Sequence, residues 1–320
     1  MRRRKFITLV GSLATVWPVV VLGAAQGKLR IGMLLLGYPE PEAFLRGFRN
    51  GLKDLGYEEG RSVEIVIRSA EGRQAALLSL AGELMQLGVD IIVAYPTTAG
   101  VAAKQTTAET PIVVYGGDLE ATHLVAGLAR PGGNITGISG ATADLAAKNL
   151  ELIAEMLPAV RRVAVLANVD SPLRKPLLDA IQTAADARKI EIKAMTVHST
   201  DQLDGDFADF EAWGAEALLV HPALPQKEIA ALAIKARVPA VSPSSAFCGV
   251  GGLASYSPDI EALAHQAATF VDKIAKGRKP SDLPVELPTR FRLKVNLQTA
   301  RAIGLSVPPT LLARADEVVE

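Results

Sequence analysis

The sequence of 320 residues predicts an α/β protein made of two doubly wound, Rossmann-like lobes. Three observations predict this fold. Short apolar runs alternate with helix-length amphipathic segments from Leu29 onward, and the alternation restarts near Arg161 after a long helix. The length suits two domains, since ~100–200 residues per domain is usual. The chain after Gly251 begins no third array, so we expect it to cross back to the first lobe and return, which makes a hinge of three crossings.

The first array begins with a buried strand. The run LRIGMLLLG (29–37) is continuously apolar, as in a parallel strand covered on both faces, and Phe44, Phe48 and Leu52 follow at helical spacing. The same alternation predicts, in order, strand 62–70, helix 74–87, strand 90–96, helix 97–108, strand 111–117 and strand 134–140. We expect the first lobe to comprise residues 26–138 and about 257–287.

The second array repeats this character. A helix at 144–156 precedes the strand RRVAVLANV (161–169). The elements predicted after it are, in order, helix 173–188, strand 190–198, helix 201–213, strand 216–222, helix 226–236, strand 238–243, a strand and turn at 251–259, helix 260–275 and a short terminal helix. We expect the second lobe to comprise residues 139–256 and about 288–320.

The stretch ARPGGNITG (129–137) concentrates glycine before the expected crossing at 137–140. A phosphate-binding P-loop needs Lys and then Ser or Thr after its last glycine, and neither Gly132 nor Gly133 is followed by them. A dinucleotide loop should follow the first strand, whereas this stretch follows the fourth. Because glycine tolerates unusual backbone angles, we interpret the stretch as a structural turn beside the hinge.

The amino terminus has the three-part layout of an export signal. Four cations at positions 2–5 precede an apolar run at 6–22 and the small residues 23–25. Pro18 interrupts the run, which is short for a membrane span, so we predict a cleaved signal at residues 1–25, with Arg3-Arg4 compatible with the twin-arginine route. No cysteine lies near the cleavage site, so we expect a periplasmic protein without a lipid anchor.

The composition and motifs argue against several function classes. Cleavage would leave 30 Lys and Arg against 34 Asp and Glu, a formal charge of −4, and no basic patch stands out, so nucleic acid is not an expected partner. The four histidines lack metal-ligand spacing, Cys248 has no adjacent base, and no Gly-x-Ser-x-Gly elbow occurs. We therefore expect no catalytic activity, no metal and no cofactor.

Polar and aromatic residues instead cluster at the carboxyl ends of the predicted strands, where open α/β sheets bind ligands. The candidate ligand-binding residues are Tyr38, Tyr95, Thr97, Thr98, Tyr115, Gly117 and Asp118 in the first lobe, Asn168, Asp170, His221, Ser244 and Ser245 in the second, and Tyr256 at the return crossing. Thr97 and Thr98 begin a helix whose free N–H groups could hold a carboxylate. Asp118 could pair with an ammonium group, and the tyrosines could stack on a planar ligand.

Each of these residues also has a structural interpretation. Thr97 could be a helix cap, Asp118 a surface turn residue, His221 a satisfied wall residue, and the tyrosines packing residues at the sheet edges. The sequence leaves both interpretations open.

Four segments carry a family resemblance: FRNGLKDLGYEEGRSVEI, LVAGLARPGGNITGIS, KNLELIAEMLPAVRRVAVLAN and the chain from 283 to 320. They resemble the tryptophan/tyrosine-type substrate-binding proteins of ABC importers, over about residues 28–320. The resemblance implies a type I periplasmic-binding-protein fold whose two lobes close on a small solute, and delivery of that solute to an ABC permease in the membrane. We also expect the protein to be a monomer. The alternatives are a ligand-sensing module for a membrane receptor and a secreted two-lobed enzyme.

The resemblance also implies pocket positions and two departures from the family pattern. By that likeness the pocket includes Tyr38, Thr97-Thr98, Asp118, Asn168 and the end of the third strand of the second lobe. Relatives often have an acidic residue at this last position, which is His221 here, and many have Asp-Pro where this chain has Asp118-Leu119. Both an aromatic amino acid and an aromatic carboxylate without an amine therefore remain possible ligands.

Overall fold

A computed structural model describes residues 27–37, 41–169, 171–197 and 203–320. Its first lobe contains a parallel sheet of five strands in the order β2-β1-β3-β4-β5. The strands are β1 (Leu29–Leu35), β2 (Val63–Ser69), β3 (Ile91–Tyr95), β4 (Ile112–Gly116) and β5 (Ile135–Ser139). The helices between them are α1 (Pro41–Asp54), α2 (Leu77–Gln86) and α3 (Thr97–Thr106).

The second lobe contains a sheet of seven strands in the order β12-β11-β10-β9-β8-β6-β7. Its pairs are parallel except for β10 with β11. The strands are β6 (Arg162–Asn168), β7 (Glu191–Val197), β8 (Ala217–Val220), β9 (Ala240–Val241), β10 (Ala254–Pro258), β11 (Phe291–Asn296) and β12 (Glu317–Val319). The helices that follow β5 in the chain are α4 (Thr142–Met156), α5 (Arg174–Asp186), α6 (Leu203–Trp213), α7 (Gln226–Lys235), α8 (Ala246–Gly249), α9 (Ile260–Ala275), α10 (Leu297–Ile303) and α11 (Pro309–Leu312).

Hydrophobic cores cover both faces of each sheet, which is why the central strands are continuously apolar. Every residue of β3, β4 and β5 is buried. The predicted apolar stripe of α1 packs inward, with Phe44 and Phe48 fully buried and Leu52 nearly so. It packs against α9, so this helix belongs to the first lobe although it follows a strand of the second.

The chain passes between the lobes three times, as predicted. It leaves the first sheet at Ser139 and begins α4 at Thr142, then leaves β10 at Pro258 and begins α9 at once. It crosses again between Glu286, which bridges to Ile138 at the edge of the first sheet, and β11 in the second sheet. Such short connections let two intact lobes rotate about a common hinge.

The stretch 129–137 contains a turn at Gly132 and Gly133 and the first three residues of β5, so the interpretation of the whole stretch as a turn beside the hinge holds only in part. Gly132 and Gly133 adopt positive φ angles of 71° and 61°, as a turn requires. The turn precedes β5, and Asn134 accepts a hydrogen bond from Ile112 at the start of β4. It therefore lies one strand length, roughly 17 Å, from the crossing that follows Ser139. Gly137 lies within β5, where a Cβ would approach the Val114 carbonyl oxygen to 2.0 Å.

The carboxyl terminus is more elaborate than the predicted single helix. It forms α10 and α11 and then β12, which extends the second sheet. The predicted signal at 1–25 lies outside the described residues. Within the described ranges, no helix is both long and apolar enough to cross a membrane.

Candidate functional site

The carboxyl ends of the two sheets face each other across a narrow cavity of about 80 Å³. The first lobe contributes the end of β3, the start of α3 and the residues after β4. The second lobe contributes the start of α4 and the turns before α5, before α7 and after β9. The cavity therefore lies where the fold class predicts a ligand site.

Eight of the residues predicted from strand ends line this cavity, and they come from both lobes: Tyr95, Thr97, Thr98, Tyr115, Gly117, His221, Ser244 and Ser245. In a parallel sheet all strands present their carboxyl ends at the same edge. Residues that are distant in sequence but equivalent in strand position are thereby brought together.

Tyr95 and Tyr115 form an aromatic wall of the cavity on the first lobe. Their rings stack on each other with centroids 5.2 Å apart, and Phe44 of α1 stacks on Tyr95 at 4.6 Å. Such pairs contribute ~0.5–1.5 kcal/mol beyond the area they bury, so the rings are held in fixed orientations. Phe44 was predicted only as a core residue, and its support of Tyr95 depends on how α1 packs over the sheet.

Thr97 connects the start of α3 to the end of β4. Its buried Oγ1 accepts a hydrogen bond of 2.6 Å from the Gly117 amide, and Pro96 occupies the cap position of α3 without a side-chain hydrogen bond. Thr97 is therefore not the helix cap that the sequence allowed. It positions two cavity segments of the same lobe relative to each other.

Four buried polar atoms at the cavity have no hydrogen-bond partner within the protein: Thr98 Oγ1, His221 Nε2, Ser244 Oγ and Ser257 Oγ. Native proteins usually pair such atoms, because each one left unpaired away from water costs ~1–3 kcal/mol. The four atoms come from both lobes. A polar ligand between the lobes would supply the missing partners.

His221 follows β8 and is only 3% exposed. Its Nδ1 accepts a hydrogen bond from the Ala223 amide at 3.1 Å, from which we assign the ring proton to Nε2. Burial lowers the pKa of His221 from 6.5 to about 4, so the ring is neutral at pH 7. Nε2 therefore presents a hydrogen-bond donor at the cavity.

Three predicted site residues do not line the cavity. Asp118 Oδ1 accepts a hydrogen bond of 3.4 Å from the Ala121 amide, as a turn residue does. Asn168 Nδ2 donates to the Ala223 carbonyl at 3.2 Å. Tyr256 stacks its ring on Phe291 with centroids 5.6 Å apart, on the side of β10 away from the cavity. Tyr38 and Asp170 lie outside the described residues.

Ser257, Thr142 and Leu173 line the cavity but were not predicted as site residues. Side chains alternate along a strand, so the neighbour of Tyr256, Ser257, points to the cavity. This two-residue alternation was the sequence signal that could have identified Ser257 as a lining residue. Leu173 comes from the second lobe, and a Cβ added to Gly117 of the first lobe would lie 1.9 Å from its Cδ1. Nothing in the sequence pairs these two residues.

The cavity is free of charged side chains over the part of its wall that the structure describes. The described lining residues include no Asp, Glu, Lys or Arg. Three helices begin at the cavity: α3 at Thr97, α4 at Thr142 and α9 at Ile260, with 10, 15 and 16 residues. Asp259 caps α9 with its carboxylate and Asp144 lies in the first turn of α4, whereas α3 has no acidic residue in its first turn. Because a helix amino terminus carries a partial positive charge and free N–H groups, the start of α3 is the helix end here that favours an anion.

Comparison with known proteins agrees with this architecture. A solved structure of a conserved domain protein from Vibrio cholerae O1 biovar El Tor has a TM-score of 0.86 at 24% identity, covering 91% of this chain and 99% of the other. A Streptococcus pneumoniae ABC domain in complex with L-Trp has a TM-score of 0.85 at 24% identity, covering 91% of this chain and all of the other. These likenesses establish the two-lobed fold of type I periplasmic binding proteins.

Sequence comparison identifies the family. The tyrosine-binding protein of Clostridioides difficile (strain R20291) is 22% identical over 279 residues, which cover 85% of this chain and 79% of that protein. The family model for the ABC transporter substrate binding protein matches residues 35–319. The match spans both lobes and the whole cavity, and the chain belongs to the family of ABC transporter substrate binding proteins.

Proposed function

We propose that this protein is the solute-binding component of an ABC importer, and that it closes its two lobes on an aromatic amino acid or aromatic carboxylate and delivers it to a membrane permease. The observation that carries this proposal is the convergence of unpaired buried polar atoms from both lobes on one cavity beside the Tyr95–Tyr115 wall. A planar ligand with a polar end would complete that arrangement. The tyrosine and L-Trp relatives support the aromatic class.

Ligand binding would follow from contacts that exist only between closed lobes. A solute would first bind one lobe, and the other would close because it gains hydrogen bonds and apolar contacts in the closed state alone. We propose that the binding site comprises the lining residues together with Tyr38, which follows β1 in the chain, and Asp170, which precedes the lining residue Ser171. Asp118, Asn168 and Tyr256 would act through the lining residues that they adjoin or bond, which are Gly117, Ala223 and Ser257.

The test is a thermal-shift panel of aromatic acids, sugars, polyamines and metal ions, followed by calorimetry. A ligand at ~100 times its dissociation constant stabilises the folded state by ~2.7 kcal/mol, which raises the melting temperature by several degrees. We expect such a shift from aromatic acids. Shifts from sugars, polyamines or metal ions alone would refute the aromatic assignment. Recovery of the chemically unchanged ligand would separate a binding protein from an enzyme.

The importer role and the location need their own measurements. We propose export to the periplasm, cleavage after residue 25 and a monomeric mature chain without a lipid anchor. Amino-terminal sequencing of the exported protein and its mass in solution test these statements. Uptake of labelled ligand by cells with and without the protein tests delivery to a permease, whereas an unchanged uptake with an altered transcriptional response would favour a sensor.

A further inference from the structure

The polar groups that face the cavity prefer one kind of ligand end. His221, Ser244 and Ser257 are 3%, 3% and 1% exposed, and each has an unpaired atom at the cavity. The serine hydroxyls can donate or accept, but His221 can only donate from Nε2, because its Nδ1 is occupied by the Ala223 amide. The ligand atom opposite His221 must therefore be a hydrogen-bond acceptor.

The electrostatics of the cavity disfavour an ammonium group. An ammonium buried without a paired carboxylate is strongly disfavoured, and the described lining residues include no Asp or Glu. The amino terminus of α3, which has no acidic residue in its first turn, would repel a cation and attract a carboxylate. The low pKa of His221, about 4, keeps the ring neutral around pH 7, and the hydrogen bond from the Ala223 amide to Nδ1 leaves Nε2 as the donor.

We propose that the cavity selects an aromatic carboxylate that lacks an α-amino group, with His221 Nε2–H donating to a carboxylate oxygen. The inference rests on the proposed function and narrows it from aromatic acids in general to those without an amine. His221 is then the residue that determines specificity. It donates to the anionic end of the ligand, where a carboxylate side chain would instead accept hydrogen bonds from an ammonium group.

Matched pairs of ligands test this selectivity. L-Tryptophan and indole-3-propionate differ only in the α-amino group, and so do L-tyrosine and 3-(4-hydroxyphenyl)propionate. We expect calorimetry to give each amine-free acid a dissociation constant about tenfold or more below that of its amino-acid partner, since one unpaired buried polar group costs that much. Equal or tighter binding of the amino acids would overturn the inference and leave the proposed function standing. Binding of neither pair, with binding of a non-aromatic solute, would overturn both.

Variants of His221 test its role directly. His221→Glu places an acceptor at the cavity, so we expect it to weaken binding of indole-3-propionate about tenfold or more and to reduce or reverse the preference over L-tryptophan. His221→Leu removes the donor without adding charge, and it should weaken binding of indole-3-propionate about tenfold. It also allows the measurement if the Glu variant does not fold. His265→Gln, a partly exposed histidine on α9 outside the cavity, is the matched control and should change neither affinity. If His221→Leu binds indole-3-propionate as tightly as the parent protein does, His221 is not the donor to the ligand carboxylate.

Asp170 needs a separate variant because it adjoins the lining residue Ser171 in the chain and lies outside the described residues. We expect Asp170→Asn to leave the preference for the amine-free acid unchanged. Two results together would overturn the inference: the parent protein binds L-tryptophan more tightly than indole-3-propionate, and Asp170→Asn loses L-tryptophan binding while the His221 variants retain it. They would identify Asp170 as the partner of the ligand ammonium group.

Discussion

Gly117 offers a direct test of lobe closure, because a single methyl group there would separate the effect on closure from the effect on folding. A Cβ built on Gly117 would lie 1.9 Å from Leu173 Cδ1 and 2.8 Å from Thr142 Oγ1, both of the second lobe. Comfortable carbon contacts are ~3.5–4.0 Å, so Leu173 would have to move by well over an ångström. Gly117 does not have a positive φ, so alanine there strains no backbone angle.

The magnitude follows from these contacts. Leu173 is 6% exposed and has little room to rotate, and overpacking of such a site costs ~1–3 kcal/mol. The cost arises only when the lobes approach, so Gly117→Ala should raise the ligand dissociation constant by about 5-fold to 150-fold. The unliganded protein should be unchanged or more stable by ~0.4–1 kcal/mol, because alanine restricts the unfolded chain.

The assay combines calorimetry with the tightest-binding acid of the panel and urea denaturation of the unliganded protein. Gly82→Ala is the matched control, because Gly82 lies within α2 with nothing within 4 Å of an added Cβ. It should stabilise the protein and leave affinity unchanged. Adding Leu173→Ala to Gly117→Ala should recover part of the lost affinity. The reasoning is refuted if Gly117→Ala binds like the parent, or if the two changes act independently.

Three further predictions concern stability, measured as the free energy of unfolding in urea. Thr97→Ala should lower this free energy by ~1–2 kcal/mol, because the buried Gly117 amide loses its hydrogen-bond acceptor. Thr97→Ser keeps the acceptor and should keep the stability; equal destabilisation by the two variants would contradict the role of the Thr97 hydroxyl. Asn149→Ala should cost ~2–4 kcal/mol, because Asn149 pairs both backbone groups of Tyr256, and an unchanged value would show that β10 is held otherwise. The pKa of His221 is 6.5 unfolded and about 4 folded, so the unfolded state binds the proton first and stability falls by up to ~3 kcal/mol as pH drops from 6.5 to 4. His221→Gln should not show this loss of stability. If the parent and His221→Gln have parallel profiles of stability against pH, His221 does not cause the loss.

Sequence patterns predicted the fold because those patterns follow from local geometry. A strand buried on both faces must be continuously apolar, as at 29–35 and 112–116, and a helix that covers it repeats its apolar residues every three to four positions, as in α1. Parallel strands share one ligand-binding edge, so Tyr95, Tyr115 and His221 could be assigned to a common region without knowledge of their contacts.

The structure differs from the sequence interpretation where that interpretation depended on orientation or on distance along the chain. The glycine-rich turn at 129–134 is adjacent in sequence to β5 but lies at the opposite end of that strand from the crossing. Tyr256 lies at the return crossing as expected, yet its ring packs on Phe291 while Ser257 lines the cavity. A one-residue difference along a strand reverses the face to which a side chain points.

The sequence by itself determined the alternation of strands and helices, the two lobes and the edge at which a ligand would bind, because these depend on periodicity and on strand direction. Only the tertiary structure decided which polar atoms are left unpaired at the cavity, that the His221 ring presents a donor, and that Leu173 approaches Gly117 across the cleft. These features arise from packing between residues far apart in the chain, where a displacement of one or two ångströms determines whether a hydrogen bond or a contact forms.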